Sequence, residues 1–255
     1  MKKSMLFIIA IFLLSVSHSF ANEEILIARV NDWPPFYYQQ NGKWLGANVD
    51  FYKALSKESG VDIELRVLPW SRAMQYMKTK PIMIGQLTPT EKRKETMHFI
   101  GPHTKEKMIL AIHIDYADEK IENLEQLVAL IKQTGKKVIY QKDVYYSKEF
   151  NYKIGTDKVF QKCFYQKTAT STVIKMISTG RVLGFFEQKA NIVYGKKNIA
   201  KYDVVAVHPF TLSTTDVYFG ISKTVSTTTI RKLEEANKRL LKNGTYDIIS
   251  KKWSE

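Results

Sequence analysis

Within Gly85-Gln-Leu-Thr-Pro-Thr-Glu-Lys-Arg93 lies a side chain suited to molecular recognition. A guanidinium offers planar, paired N–H donors that match a carboxylate, and it stays charged at any accessible pH. Arg93 stands between Lys92 and Lys94, so by residue type alone it is either a solvated charge in a basic turn or a group aimed at a ligand. Thr90, three residues earlier, is placed to cap a short helix beneath it. No Ser-His-Asp spacing, metal-binding cluster or Gly-rich dinucleotide fingerprint occurs, and the Gly-Lys pairs lack the rest of a phosphate loop. No cofactor and no metal are expected. Cys163 is the only cysteine, which excludes an intramolecular disulfide; a packed, inert thiol beside Phe164 is expected.

The first residues read as an export signal. Lys2 and Lys3 precede a short apolar run from Met5 to about Val16, and Ser19 and Ala21 satisfy the small-residue rule for cleavage after Ala21. The remaining 234 residues suffice for one large domain or two small ones. With 37 basic against 25 acidic residues, they carry a formal charge of +12. The lysines are scattered through amphipathic segments rather than gathered in a run, so they read as solubilising surface charge, and no nucleic-acid partner is expected.

The elements that must position Arg93 follow from period and punctuation. Strands are expected at 25–30, 63–67, 82–85, 108–114, 137–141, 183–186, 204–207 and 217–221. Helices are expected at 50–59, from Trp70 onward (Trp70, Ala73, Met74, Met77), at 123–132, at 173–178 and along Ile230, Leu233, Asn237 and Leu240. Strands alternating with helices specify an α/β class with mostly parallel sheets, and the chain length favours two α/β lobes.

In this order the motifs resemble the family 3 extracellular solute-binding proteins, the periplasmic receptors of polar amino acid uptake. The resemblance rests on Trp33-Pro-Pro-Phe36, Gly46-Ala-Asn-Val-Asp50, Pro69-Trp70, Thr88-Pro-Thr-Glu-Lys-Arg93, Phe99-Ile-Gly-Pro102, Gly180-Arg181 and the closing Asn243-Gly-Thr with Trp253. It covers essentially the whole mature chain. It implies a periplasmic location and a two-lobe Venus-flytrap fold with two crossover hinge strands. Lobe 1 would comprise 22–112 and 212–255, and lobe 2 would comprise 113–211. Ligand would bind in the cleft as the lobes close.

The resemblance also assigns a site. Arg93 and Thr88 would hold a ligand carboxylate, Gln86 would line the pocket, and Trp33 and Trp70 would flank the solute. Phe36 would be core, and Asp50 a structural residue at a helix start. Lobe 2 departs from the pattern. Asp143 and Val144 replace a Gly-Thr pair, and Gln188, with Glu187 beside it, stands where an ammonium-pairing Asp is usual. A neutral amide cannot balance a buried ammonium, which points away from a standard α-amino acid and towards another carboxylate-bearing polar solute. Tyr140, Tyr145 and Tyr146 would suit an aromatic or sugar-like group.

The expected function is capture of a small solute for the membrane permease of an ABC transporter, with no chemistry of its own. One alternative keeps the fold and makes the partner a membrane sensor. The other is a dehydratase acting on prephenate-like or arogenate-like acids, with Glu187 and Asp143 as the candidate acid–base groups; His103 is expected at a surface loop end.

Overall fold

The computed structural model describes residues 24–142, 144–167 and 172–254. The export signal expected at 1–21 lies outside them. The chain runs β1 (Leu26–Val30), β2 (Tyr38–Gln40), β3 (Lys43–Leu45), α1 (Ala47–Ser59), β4 (Ile63–Val67), α2 (Trp70–Tyr76), β5 (Ile82–Leu87), α3 (Glu91–Lys94) and β6 (Met97–His113). It continues through α4 (Leu124–Thr134), β7 (Lys137–Gln141), α5 (Lys148–Thr156), α6 (Lys158–Lys162), β8 (Phe164–Lys167), α7 (Val173–Ser178), β9 (Val182–Gln188) and α8 (Lys189–Asn198). The last elements are β10 (Val205–Ser222), α9 (Thr227–Lys242) and α10 (Thr245–Ser254).

One sheet orders its strands β4-β1-β5-β10-β6-β9-β7-β8. At one end β1 pairs in parallel with β4 and β5; at the other β7 pairs in parallel with β8 and β9. Between them run β6 and β10, antiparallel to each other from Val205↔His113 to Ser222↔Met97. Each expected short strand at 108–114, 204–207 and 217–221 is part of one of these two long ones. Their length is hidden in the sequence because Pro102 and Pro209 interrupt the pattern, and proline is tolerated in a ladder only at edges or bulges. The register shifts at both places, between Val217 and Phe219 opposite Pro102 and between Val207 and Thr211 around Pro209.

Buried side chains gather on both faces of each end of the sheet. In the first lobe, Val30, Phe36, Phe51, Tyr52, Phe219 and Leu233 form one cluster, and Leu68, Met77, Ile84 and Met97 form another. In the second, Leu110, Leu127, Val138, Phe150 and Phe186 form one, and Ile109, Ile139, Ile174 and Phe185 form the other. Cys163 is buried with the first of these, as expected. Asp50 is structural: its Oδ2 accepts from Lys252 Nζ at 2.7 Å and from Trp253 Nε1 at 2.9 Å, tying α10 to α1. His103 departs from expectation. It lies inside β6, 3% exposed, stacked on Phe219 with ring centres 4.0 Å apart, because strand alternation turns it into the core.

Helix α1 begins at Ala47, three residues before its expected start, behind Gly46 at φ +126°. A Cβ at Gly46 would lie 2.3 Å from the Phe36 carbonyl oxygen, so this turn can pack against the Trp33–Phe36 loop only with glycine. Gly46→Ala should therefore lower folding stability by about 2 kcal/mol, read as a shift in urea midpoint; an unchanged midpoint contradicts this account.

Candidate functional site

The Trp33 loop is built by its own backbone. Trp33 N–H donates to Tyr37 O at 2.8 Å and Tyr37 N–H donates back at 3.0 Å, while the Trp33 ring packs on Phe36 at 4.4 Å between centres. This presents the indole at the C-terminal end of β1. Helix α3 starts with the Thr90 side chain accepting from Arg93 N–H at 3.3 Å, the capping expected of threonine. The Arg93 guanidinium then turns back, with Nη1 donating to Thr88 O at 2.8 Å and Cζ lying 5.8 Å from the Trp70 ring centre. Thr88 Oγ1 is 3.5 Å from Thr215 Oγ1 on β10. Gln86 adopts φ +58°, a region costly for a non-glycine residue and characteristic of functional sites. From there its Nε2 donates to Glu106 Oε1 at 3.2 Å.

The other wall comes from the second lobe. At the end of β9, Glu187 and Gln188 are 9% and 8% exposed, and Gln188 N–H donates to Glu187 Oε1 at 2.8 Å. Both residues line the cleft, at the point where the strand ends and α8 begins at Lys189. Tyr145, Tyr146, Phe186 and Asn191 complete this wall. Asn191 Nδ2 donates to Pro34 O, and the Tyr38 and Tyr194 rings meet at 5.8 Å, so the two walls touch. Between them is a cleft of about 660 Å³, in the range of small-molecule sites.

Trp33, Trp70, Gln86, Thr88, Arg93, Glu187 and Gln188 all line this one cleft. Asp143 lies outside the described residues. Tyr145 and Tyr146 line the cleft, whereas Tyr140 donates its hydroxyl to Gln166 Oε1 at 2.8 Å. Trp70 both faces the cleft and packs on the Leu68–Met97 cluster.

Sequence reasoning missed four charged members of the lining, Arg29, Asp32, Glu106 and Lys201. Arg29 sits in an apolar strand, where the surrounding run masks it. Glu106 lies between Lys105 and Lys107, and only a period-two reading extended back from Met108 would separate it from those exposed lysines. Among the described residues no group of His, Cys, Asp or Glu is arranged to hold a metal ion, and no helix is long and apolar enough to cross a membrane.

Desolvation dominates the electrostatics. Burial raises the Glu187 carboxyl to about 7, against opposing hydrogen bonds from Gln188 N–H and the Trp33 side chain. Burial likewise raises Glu106 to about 7, against the Gln86 amide, and lowers the Arg29 pKa. Four buried polar atoms of the lining have no hydrogen-bond partner among the described residues: Asn31 Oδ1, Trp70 Nε1, Gln86 Oε1 and Gln188 Oε1. Orphaned groups of this kind are costly unless a ligand or water satisfies them.

A family model described as "Bacterial extracellular solute-binding proteins, family 3" matches residues 25–255. The chain is 24% identical over 222 residues to the "Probable amino-acid-binding protein YxeM" of Bacillus subtilis (strain 168), covering 86% of this chain and 79% of that one. It is 31% identical over 83 residues to the "L-cystine-binding protein TcyJ" of Escherichia coli (strain K12), covering 31% of each. Among solved structures, an ancestral arginine-binding protein bound to arginine aligns with TM-score 0.72 at 22% identity, over 90% of this chain and 97% of that one. A histidine kinase sensor domain with similarity to periplasmic binding proteins aligns with TM-score 0.73 at 19% identity, over 90% and 95%.

Glu106 and Glu187 take up protons near pH 7 when folded, against an ordinary value of 4.5. The folded chain therefore binds more protons between those values, so this contribution to stability is complete below about pH 4.5 and is lost as pH rises through about 7. The double substitution Glu106→Gln with Glu187→Gln should flatten that part of the ligand-free stability profile, measured by urea unfolding across the same pH range. A slope matching the unsubstituted chain's would refute the assignment.

Proposed function

The chain belongs to the bacterial extracellular solute-binding proteins, family 3, and we propose that its cleft captures a small, polar, carboxylate-bearing solute, amino-acid-like in its charges, for an ABC uptake system. The observation that carries this reading is the meeting of Arg93, from the first lobe, and Glu187, from the second, on one cleft. Arg93 and Thr88 would hold the carboxylate by charge-assisted hydrogen bonds. Glu187 would face an ammonium group, which answers the objection raised by the neutral Gln188. Trp33 and Trp70 would close over the solute, with Gln86 and Gln188 supplying amide acceptors and Asp143 kept as a further candidate from the sequence. The names of the relatives, an amino-acid-binding and a cystine-binding protein, support the same solute class.

We propose further that residues 1–21 direct export to the periplasm, with cleavage after Ala21. The lobes would comprise 22–112 with 212–255, and 113–211, closing about β6 and β10. Docking on a permease would then deliver the solute. A second reading, turnover by Glu187 as a general acid, draws on its near-neutral ionisation. Recovery of unchanged ligand after prolonged incubation supports binding alone; a dehydrated product favours the enzyme.

Screening amino acids and organic acids by melting shift identifies the solute class, since ligand at a hundredfold excess over Kd adds about 2.7 kcal/mol. Arg93→Ala should leave the fold intact, read as a retained cooperative melting transition, and weaken binding by about 2–5 kcal/mol. Tryptophan fluorescence should respond to ligand in the parent chain and not in this variant. Undiminished affinity in Arg93→Ala would remove the carboxylate clamp.

A further inference from the structure

The cleft contains a second guanidinium, that of Arg29, and no described carboxylate answers its charge. Arg29 alternates with Val30 on β1 and lies beside Leu68 and Trp70, and it is 8% exposed. Its Nε donates to Leu68 O at 3.0 Å, and its Cζ lies 5.4 Å from the Trp70 ring centre. The charged neighbours acting on it are the phenols of Tyr37 and Tyr52, and burial keeps both of those neutral by raising their pKa. No described acceptor bonds its Nη1 or Nη2, and no ion pair includes it. An arginine this deep does not shed its proton, and burying an uncompensated charge is expensive. The Trp70 face offsets part of that cost; the remainder marks a place where a ligand anion is wanted.

A second observation points the same way. The Trp70 indole N–H is buried and has no acceptor among the described residues, so the ring that supports Arg29 also presents a donor. Arg93 approaches this ring too. The separation of the two guanidinium carbons is therefore bounded by the sum of their distances to the ring centre, about 11 Å. A short dicarboxylate can bridge two guanidinium groups within that limit. Acceptors are also present on the cleft, at Glu187, Glu106 and Gln86 Oε1, to take an ammonium.

We propose that Arg29, with the Trp70 indole N–H, forms a second anion subsite beside Arg93, so that the solute selected by this cleft is an amino acid bearing two carboxylates. This deepens the reading of the cleft given above and rests on it. The subsite sets specificity: Arg93 engages the carboxylate common to all amino acids, and Arg29 engages the one that distinguishes this class. An amide or methyl at that place leaves the guanidinium buried and unpaired, which is the stronger half of the discrimination.

Calorimetric titration of the full-length protein with matched pairs tests this: L-glutamate against L-glutamine, L-aspartate against L-asparagine, and L-2-aminoadipate against L-norleucine. In at least one pair the dicarboxylate should bind more tightly by about tenfold to a hundredfold. Arg29→Gln should erase that preference, weakening the dicarboxylate and tightening its uncharged partner, and Arg29→Lys should restore part of it. Equal affinity within every pair overturns the proposal, as does an Arg29→Gln variant that weakens both members alike. If Arg29→Gln does not fold, the pairs measured on the parent chain decide alone. Selectivity untouched by Arg29→Gln, with binding abolished in Arg93→Ala, overturns the second subsite and keeps the general reading. Binding unaffected by Arg93→Ala overturns the general reading, and no binding by any member overturns both.

Discussion

Two antiparallel strands, β6 and β10, carry the molecule. They pair along nearly their whole lengths, β5 joins β10 on one side, and β9 joins β6 on the other. Everything on the first lobe reaches the second lobe's sheet through this ladder. The same pair supplies cleft side chains directly: Glu106 and Met108 from β6, and Ser213, Thr215 and Val217 from β10. Site residues therefore stand on the two strands that join the lobes. The register shifts and prolines within them are the places where such a ladder bends at least cost.

The cleft is electrostatically unfinished. Burial raises two carboxyls to about 7, and among the described residues an arginine has no carboxylate partner and four polar lining atoms lack hydrogen bonds. Stability would be served by pairing these groups with each other, yet they are kept apart on different strands. A binding protein has reason to be built this way, since interactions withheld in the empty state become differential affinity when ligand arrives. The strained Gln86 backbone fits the same pattern. Contacts across the mouth, Asn191 to Pro34 and Tyr38 to Tyr194, are few and light by comparison.

Apolar packing sets the frame within which those charges sit. The Trp33 loop is rigid because its backbone hydrogen bonds, the Phe36 ring and the close approach of Gly46 fix it jointly. Asp50 then clamps the C-terminal helix onto α1. The stacked His103 and Phe219 lie under β6 and β10 in the first-lobe core. Each device is remote from the solute's charges, and each narrows the positions from which Trp33, Glu106 and Thr215 meet it.

Much of this was legible in the residues. The strand at Ile63–Val67, the Trp70 helix, the Thr90 cap, the buried Cys163 and the α/β alternation follow from period, punctuation and side-chain chemistry acting over a few residues. The order of motifs carried the family, and with it Trp33, Trp70, Gln86, Thr88, Arg93, Glu187 and Gln188 as neighbours. The continuity of β6 and β10 was not legible, because a proline in a strand reads as an end until a partner strand supplies the bulge that accommodates it. Nor were the roles of Arg29 and Glu106. Local pattern states which residues alternate and which are charged. Whether a charge on one strand finds a counter-charge, an aromatic face or nothing depends on segments far away in the chain, and only their folding into one cleft decided it.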